Sequence, residues 1–194
     1  MKVTADIDID CADRTEILKY FKHVSAKQKN GKTHNSGVYF HDVPYEPLTN
    51  LCLLEYDQAE DMGFFKIDLL NVHLYKDVNG REHLNKLLNE EPDWNLLQHK
   101  EIVDMLFHLN NHFDIVNTHK PKSIEQLAML LAIIRPAKRA LLGRSWPDIE
   151  KTVWQKPMDD SYYFKKSHAI GYAHVIVLQL NLLRENPQKF LAQS

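Results

Sequence analysis

The sequence predicts an α+β fold in which a small mixed sheet is followed by a helical half. Two observations support this prediction. Apolar and charged side chains alternate in the first ten residues, and apolar side chains recur at helical spacing after Asn71. With 194 residues, of which 44% are hydrophobic, the chain can bury one ordinary core. We therefore expect one domain, residues 1–194.

Four β-prone segments predict the sheet. Residues 3–10 alternate apolar and polar side chains, the period of a strand with one buried face, so that Ile7 and Ile9 should face the core. The other three segments are 37–40, 51–56 and 63–70, separated by turn-forming or acidic residues. Between the first two segments, apolar residues at helical spacing predict a helix from Asp13 to Lys29.

The rest of the chain is predicted to be helical. The predicted helices are 72–78, 82–88, 96–109, 124–134, 147–154 and 167–183. The acidic segment from Glu90 to Asp93 contains a proline and predicts the boundary between two portions. These are a sheet portion, residues 1–90, and a helical portion, residues 91–194.

Composition and charge limit the classes of function. The 24 Lys and Arg against 26 Asp and Glu give a net charge of −2, which does not by itself indicate nucleic-acid binding or disorder. Cationic residues nevertheless outnumber acids between residues 120 and 166, where phosphates could bind. Cys11 and Cys52 are the only cysteines, which favours a reduced, cytoplasmic setting. The sequence shows neither a signal-peptide pattern nor a long apolar run, so we expect no membrane association.

The alternating strand places Asp6, Asp8 and Asp10 on one face, about 7 Å apart. Neighbouring carboxylates repel one another. A solvated strand face would tolerate them, and a divalent-metal site would use them, because hard cations such as Mg²⁺ bind carboxylate oxygens. The residue pattern leaves both interpretations open.

Asp68 is a further carboxylate, and it lies among apolar neighbours in the segment 63–70. A buried carboxylate is costly unless it has a partner. That partner is either Lys66, on the same strand face, or a metal ion shared with Asp6 and Asp8. Two carboxylates on one strand and a third on a neighbouring strand form the arrangement that a two-metal nucleotidyl transferase needs.

Five ordered segments, and a sixth near the end of the chain, resemble motifs of one family. The segment ADIDIDCADR, residues 5–14, is similar to the PDIDxDF…DR strand of the C-family DNA polymerases, the bacterial DNA polymerase III alpha subunits. THNSGV, residues 33–38, is similar to THAAGV, and GFFKIDLL, residues 63–70, resembles GLVKxDFLG. Residues 120–136 and 164–173 resemble rPxxfEDLvalxALyRPGP and FNKSHAAAYA, and NPQKFLA, residues 186–192, resembles YPxEFmAA. The resemblance covers nearly the whole chain and indicates a truncated palm with partial fingers.

The resemblance implies a function, a site and partners. Members of this family carry out metal-dependent nucleotidyl transfer in DNA replication. By resemblance, Asp6, Asp8 and Asp68 would be the catalytic ligands of Mg²⁺ or Mn²⁺. The expected contacts to the triphosphate or the primer terminus are Lys66, Arg135, Lys166, Ser167 and His168. The expected partners are DNA and deoxynucleoside triphosphates.

The family pattern is incomplete in this chain, which leaves two hypotheses. The GRGSAAGS segment that handles the triphosphate in the family, and most of the fingers, have no counterpart here. The first hypothesis is a DNA polymerase core, acting alone or with another replication protein that supplies the missing segment. The second is a catalytically inactive palm-like module that binds a replication protein or nucleic acid. The missing segment also predicts an open sheet edge next to residues 3–10.

Two other residue patterns could indicate a chemical site. His108 and His112 lie four residues apart, as in a helical zinc pair, but Leu109 stands where the metalloprotease motif has Glu. Ser167 and His168 are adjacent and point apart, which does not suit a nucleophilic pair. The alternative for the Ser167 segment is the N-cap of the helix that follows.

Overall fold

The structure is a computed structural model that describes residues 7–158 and 161–188. The chain divides between Val78 and Asn79 into two compact units. The first, here termed the sheet unit, contains all the described strands, and the second, the helical unit, contains helices and connecting turns. This order confirms the predicted α+β class.

The division between the units lies before the predicted boundary at 90–93. Helix Gly80–Asn89 belongs to the helical unit rather than to the sheet unit. The side chain of Asn181 holds it there, because its amide nitrogen donates to the carbonyls of Leu87, at 2.9 Å, and Glu90, at 2.8 Å. Tertiary hydrogen bonds of this kind are not visible in a local sequence pattern.

The sheet unit is built on a six-stranded mixed sheet with the order β1-β6-β3-β2-β5-β4. The strands are β1 Ile7–Cys11, β2 Val24–Lys27, β3 Thr33–Tyr39, β4 Tyr45–Glu46, β5 Leu51–Glu55 and β6 Ile67–Asn71. β1 runs parallel to β6, and β3 runs antiparallel to both β6 and β2. Within the described part of the chain β1 is thus an edge strand, which agrees with the edge predicted at residues 3–10.

The helix predicted for residues 13–29 is wrong beyond its first turns. Helix α1 spans only Arg14–Leu18, and it begins where the Asp13 carboxylate accepts a hydrogen bond from the Thr15 amide at 3.0 Å. Strand β2 follows, with alternate residues Val24 and Ala26 buried. Pairing of β2 with β3 on one side and β5 on the other overrides the helical spacing of the apolar residues.

Each face of the sheet carries its own apolar cluster. On one face Cys11, Val38 and Leu69 are buried against Ile17 and Leu18 of α1. The other face buries Val24, Ala26, Val43, Tyr39, Cys52 and Ala59, of which Ala59 comes from helix α2, Tyr56–Asp61.

The prediction that Ile7 and Ile9 face the core is wrong about their burial. They alternate with the acids as expected, but they remain 36% and 45% exposed. The reason is that β1 is an edge strand and the helix on this face, α1, is only 5 residues long.

The helical unit comprises α3 Gly80–Asn89, α4 Lys100–Val103, α5 Phe113–His119, α6 Ile124–Ile133, α7 Trp146–Glu150 and α8 Lys166–Glu185. Short 3-10 helices occur at His73–Asp77 in the sheet unit, and at Trp94–Gln98 and Pro136–Leu141 in the helical unit. α6 and α8 form the centre of the helical core, and residues 127–133 of α6 are all buried. No helix in the described ranges is both long and apolar enough to span a membrane.

The helix predicted for residues 96–109 is also wrong as a continuous element. The chain forms the 3-10 helix Trp94–Gln98, then α4, then turns that include His108 in the left-handed region with φ 60°. A non-glycine residue in that region cannot continue a right-handed helix. α5, which follows, was not predicted.

Candidate carboxylate site

Strands β1 and β6 bring two of the predicted carboxylates together. Asp8 and Asp68 are direct register partners in this parallel pair. Partners in register point to the same face of a sheet, and neighbouring strands lie about 4.8 Å apart. Asp8 is exposed, whereas Asp68 is only 8% exposed. Asp6, the third predicted ligand, lies outside the described residues.

Asp68 is held by two polar partners, one on strand β3 and one in the residue that directly precedes β6. The Ser36 hydroxyl on β3 donates to Oδ1 of Asp68 at 2.7 Å, and the Lys66 ammonium donates to Oδ2. The side chains of Lys66 and Asp68 are 23% and 12% exposed, so this ion pair is well shielded from solvent. Lys66, one of the two partners that the sequence left open, thus contacts Asp68.

His34 is the third neighbour of Asp68, with Nδ1 at 3.6 Å from Oδ1. That nitrogen accepts a hydrogen bond from the Gly37 amide at 2.9 Å, so the neutral ring carries its proton on Nε2. Burial lowers the pKa of His34 below its usual value, against the opposing effect of the Asp68 charge. The ring also packs edge-on against Tyr56, 5.7 Å between centroids.

Gly37 allows the side chains of His34 and Lys66 to lie close to the backbone of β3. A Cβ atom at this position would lie 3.0 Å from Nδ1 of His34 and 3.1 Å from Cδ of Lys66. It would also lie 3.2 Å from the Cβ of Ala26 on β2. Because Gly37 is the register partner of Asp68, the glycine keeps the space above the carboxylate for His34 and Lys66.

Asp10 follows Asp8 on the same face of β1 but has a different partner. Burial raises the pKa of Asp10, the neighbouring Asp8 charge raises it further, and a hydrogen bond with Tyr75 opposes both. Burial and the same acid raise the pKa of Tyr75 to about 12. The repulsion between Asp8 and Asp10 is the like-charge effect that the alternating sequence predicts.

Arg14 stabilises the end of the site. Its backbone amide donates to the side chain of Asn71 at 2.7 Å, and its guanidinium donates to the carbonyls of Asn35 and Ser36. Arg14 thereby connects the start of α1 to the last residue of β6 and to the backbone of β3 at Asn35 and Ser36. Arg14, His34 and Ser36 lie within the motifs that resemble the polymerase family, but the sequence predicted no role for them.

The described site contains two of the three carboxylates that the sequence predicted as metal ligands. Asp8 and Asp68 offer carboxylate oxygens on one face, and a carboxylate that accepts two hydrogen bonds retains further lone pairs. Groups of three or more acids, histidines or cysteines with metal-binding geometry do not occur among the residues that the structure describes, which exclude Asp6.

The other predicted contacts lie in the helical unit. Lys166 and Ser167 are exposed in the first turn of α8, and His168 is half-buried beside them. The N-cap of α8 is Lys165, so the N-cap alternative for Ser167 is wrong. Arg135 directly precedes the 3-10 helix Pro136–Leu141. Lys66 alone of the five predicted phosphate contacts lies in the sheet unit.

The histidine pair does not form a helical zinc site. His108 has left-handed backbone geometry and His112 precedes α5, so the two residues do not share a helix. His108 instead accepts a hydrogen bond at Nδ1 from Nη2 of Arg135, 3.2 Å away.

Comparison of the chain with protein-family models, with curated proteins and with solved structures gives no significant match.

Proposed function

We propose that this protein is a nucleotidyl transferase of the DNA polymerase type, related to the C-family polymerases and acting in DNA replication. The observation that carries the proposal is the register pairing of Asp8 with Asp68 on adjacent parallel strands. This pairing joins two motifs that are 60 residues apart in the sequence, ADIDID and GFFKID, and both resemble the metal-binding motifs of that family.

The site residues divide into ligands and positioning groups. Asp8 and Asp68, together with Asp6, would hold Mg²⁺ or Mn²⁺. A bound divalent cation lowers the pKa of an attacking hydroxyl and stabilises the charge on the leaving phosphates. Ser36 and Lys66 fix the Asp68 carboxylate, which limits its rotation before a ligand arrives.

The proposed substrates are DNA and deoxynucleoside triphosphates. Lys166, Ser167 and His168 share the first turn of α8, where exposed cationic and hydroxyl groups can contact phosphate. Another replication protein is the further proposed partner of this chain.

A second candidate function is a non-catalytic palm-like module that binds a replication protein or nucleic acid. The specific observation that favours it is the Lys66 ammonium on Asp68. Because this ion pair already compensates the buried carboxylate, the fold does not need a metal ion for charge balance.

Primer extension distinguishes the two functions. The full chain is incubated with primer–template DNA, deoxynucleoside triphosphates and Mg²⁺ or Mn²⁺, with and without replication proteins. We expect slow, metal-dependent addition of nucleotides that Asp8→Asn abolishes. Asp42→Asn, which removes a fully exposed acid of the same unit, is the matched control and should keep the activity. DNA binding without any primer extension would favour the binding module. Equal primer extension by Asp8→Asn and the wild type would refute the polymerase proposal.

A further inference from the structure

Residues 17–41 of the sheet unit carry cations without acids. This segment contains five lysines, three histidines and no Asp or Glu. It includes the turn from α1 into β2 and the hairpin of β2 with β3. Residues 17–32 lie outside the segments that resemble the polymerase family. An anionic partner of this part of the sheet unit would therefore bind apart from the carboxylate site.

One face of the sheet is only partly covered by α1. Val38 of β3 is buried on this face against α1, and its register partner on β2 is Ser25. Val24 and Ala26 are buried in the cluster on the opposite face. Because neighbouring side chains of a strand alternate, Ser25 and Lys27 belong to the face of Val38. Both are partly exposed, so this face is open to solvent along β2.

Large apolar side chains are exposed on the same open face. Phe40 follows Tyr39 and Leu53 follows Cys52, both of which are buried on the opposite face. Alternation thus places Phe40, 37% exposed, and Leu53, 55% exposed, on the open face. The ring of Phe21, 56% exposed, packs edge-on against Phe40 with 5.8 Å between the centroids. Adjacent apolar side chains that stay exposed are typical of an interaction surface.

Lysines lie beside these exposed side chains. Lys22 and Phe40 line one small surface pocket. The Lys27 ammonium donates to the carbonyl of Leu53, which leaves further N–H groups for a ligand. The set Phe21, Phe40, Leu53, Lys22 and Lys27 is here termed the β2–β5 surface.

The acids next to this segment hold its lysines only weakly. The ion pairs are Glu16–Lys19 at 2.6 Å, Asp42–Lys22 at 3.7 Å and Asp57–Lys29 at 2.5 Å. Every side chain in them is at least 43% exposed, and exposed pairs contribute little and are screened by salt. Glu55, the register partner of Lys27, is the N-cap of α2. Lys27 and Lys32 form no ion pair with another described residue, so phosphates can replace weak partners or none.

The chemistry of the β2–β5 surface fits a single-stranded nucleic acid. Unpaired bases stack on exposed aromatic rings, and lysine ammonium groups contact the phosphates between them. In a duplex the bases already stack on one another, so this surface would offer a duplex only its lysines. The excess of cations in residues 17–41 complements the regular negative charge of a strand.

We infer that the β2–β5 surface binds single-stranded nucleic acid. Phe21 and Phe40 stack on bases, and Lys22 and Lys27 contact phosphates. This inference goes beyond the proposed function, because the surface shares no residue with the carboxylate site or with the expected triphosphate contacts. Binding here requires neither a metal ion nor nucleotidyl transfer.

Fluorescence anisotropy of a labelled oligothymidylate of about 12 nucleotides tests the inference, with the full chain in a buffer that contains EDTA. We expect saturable binding that weakens as salt increases. Phe40→Leu and Phe21→Leu keep an apolar side chain and remove the ring. Each should weaken binding about fivefold to a hundredfold, the contribution of one base stacked on an aromatic ring. Lys22→Gln should reduce the slope of log affinity against log salt by about 0.7.

The matched controls lie in the helical unit. Tyr162→Leu removes an aromatic ring that is 63% exposed, and Lys151→Gln removes an exposed lysine that pairs with Asp148. Both should bind as the wild type does. EDTA removes divalent cations, so the result does not depend on whether the carboxylate site holds a metal ion.

Parallel titrations with oligouridylate and with a duplex of the same length identify the preferred strand. Tighter binding of either single strand than of the duplex supports the inference, and the tighter of the two identifies the sugar. NMR of the labelled wild type should show signal changes centred on residues 21–27, 40 and 53. Binding by Phe40→Leu equal to that of the wild type, a preference for the duplex, or signal changes centred elsewhere would overturn the inference. The last two results do not depend on the folding of any variant.

Discussion

At the scale of single residues, Gly37 is a closely packed position of the carboxylate site. We predict that Gly37→Ala destabilises the protein by about 1–3 kcal/mol, because the new Cβ would lie 3.0 Å from His34 Nδ1 and 3.2 Å from the Ala26 Cβ. Lys66 has a flexible stem and can move away, but the His34 ring is held by the Gly37 amide itself. Urea denaturation measures the change in the free energy of unfolding.

Gly171→Ala is the control for this substitution. Gly171 lies in α8, and a Cβ there would meet nothing within 4 Å, so alanine should stabilise the helix by about 0.5–1 kcal/mol. Two glycine-to-alanine changes in one protein should therefore have opposite signs. Equal effects would mean that Gly37 is not needed for close packing around Asp68.

His108 gives the structure a specific pH dependence. Its pKa is lowered from 6.5 to about 4 in the folded chain, so between these values the unfolded state binds more protons than the folded state. The free energy of unfolding must then fall as the pH drops from 6.5 towards 4. We expect this residue to contribute a loss on the order of 1 kcal/mol between pH 7 and pH 5, after discounting for its partial exposure.

His108→Asn should reduce that pH dependence. Asparagine tolerates the left-handed backbone and can still accept a hydrogen bond from Arg135. The measurement is urea denaturation of the wild type and the variant at pH 7 and pH 5. His99→Asn removes an imidazole that is 57% exposed and should behave as the wild type. A variant at position 108 with the full wild-type pH dependence would contradict the burial of this ring.

At the scale of elements, α6 depends on its N-cap. The Ser123 hydroxyl accepts a hydrogen bond from the Gln126 amide at 3.2 Å. We predict that Ser123→Ala costs about 1 kcal/mol, the usual value of a serine cap, measured by chemical denaturation followed by circular dichroism. Ser145, the N-cap of α7, makes no such bond to the helix backbone and donates to Asp148 instead. Ser145→Ala should cost less, and a reversed order would mean that the cap is not what stabilises α6.

Strands and helices in which apolar residues recur at one clear spacing could be predicted from the sequence. β1 alternates, and α6 and α8 are apolar helices, so each appears close to its predicted position. Residues 13–29 could not be read correctly, because apolar residues at helical spacing also fit a short helix followed by strand β2. Pairing with β3 and β5 decides between the two, and such pairing joins residues far apart in the chain.

The candidate site was predictable in its charged residues and not in its neutral ones. Asp8, Asp68 and Lys66 stand out because charges interrupt an apolar pattern. Ser36 and His34 lie in a polar stretch, THNS, where no residue is locally exceptional. Their contacts with Asp68 arise only from the antiparallel register of β3 with β6, in which Gly37 faces Asp68.

At the scale of the whole molecule, the two compact units carry different parts of the proposed chemistry. The sheet unit holds the carboxylates with Lys66, Ser36 and His34, and the helical unit holds Arg135 and the first turn of α8. The chain therefore combines acidic and cationic groups although its net charge is only −2. The proposed cation ligands and most of the proposed phosphate contacts thus belong to different units.

We propose that Asp8 and Asp68 bind one divalent cation together, and Mn²⁺ is a suitable probe because it broadens the NMR signals of nearby atoms. Titration of the isotope-labelled chain should selectively and saturably broaden the amide signals of residues 7–10 and 67–69. Asp8→Asn and Asp68→Asn should each weaken this effect, whereas Asp42→Asn should not. Broadening centred on other acids, or the same broadening in Asp8→Asn as in the wild type, would contradict a shared metal site.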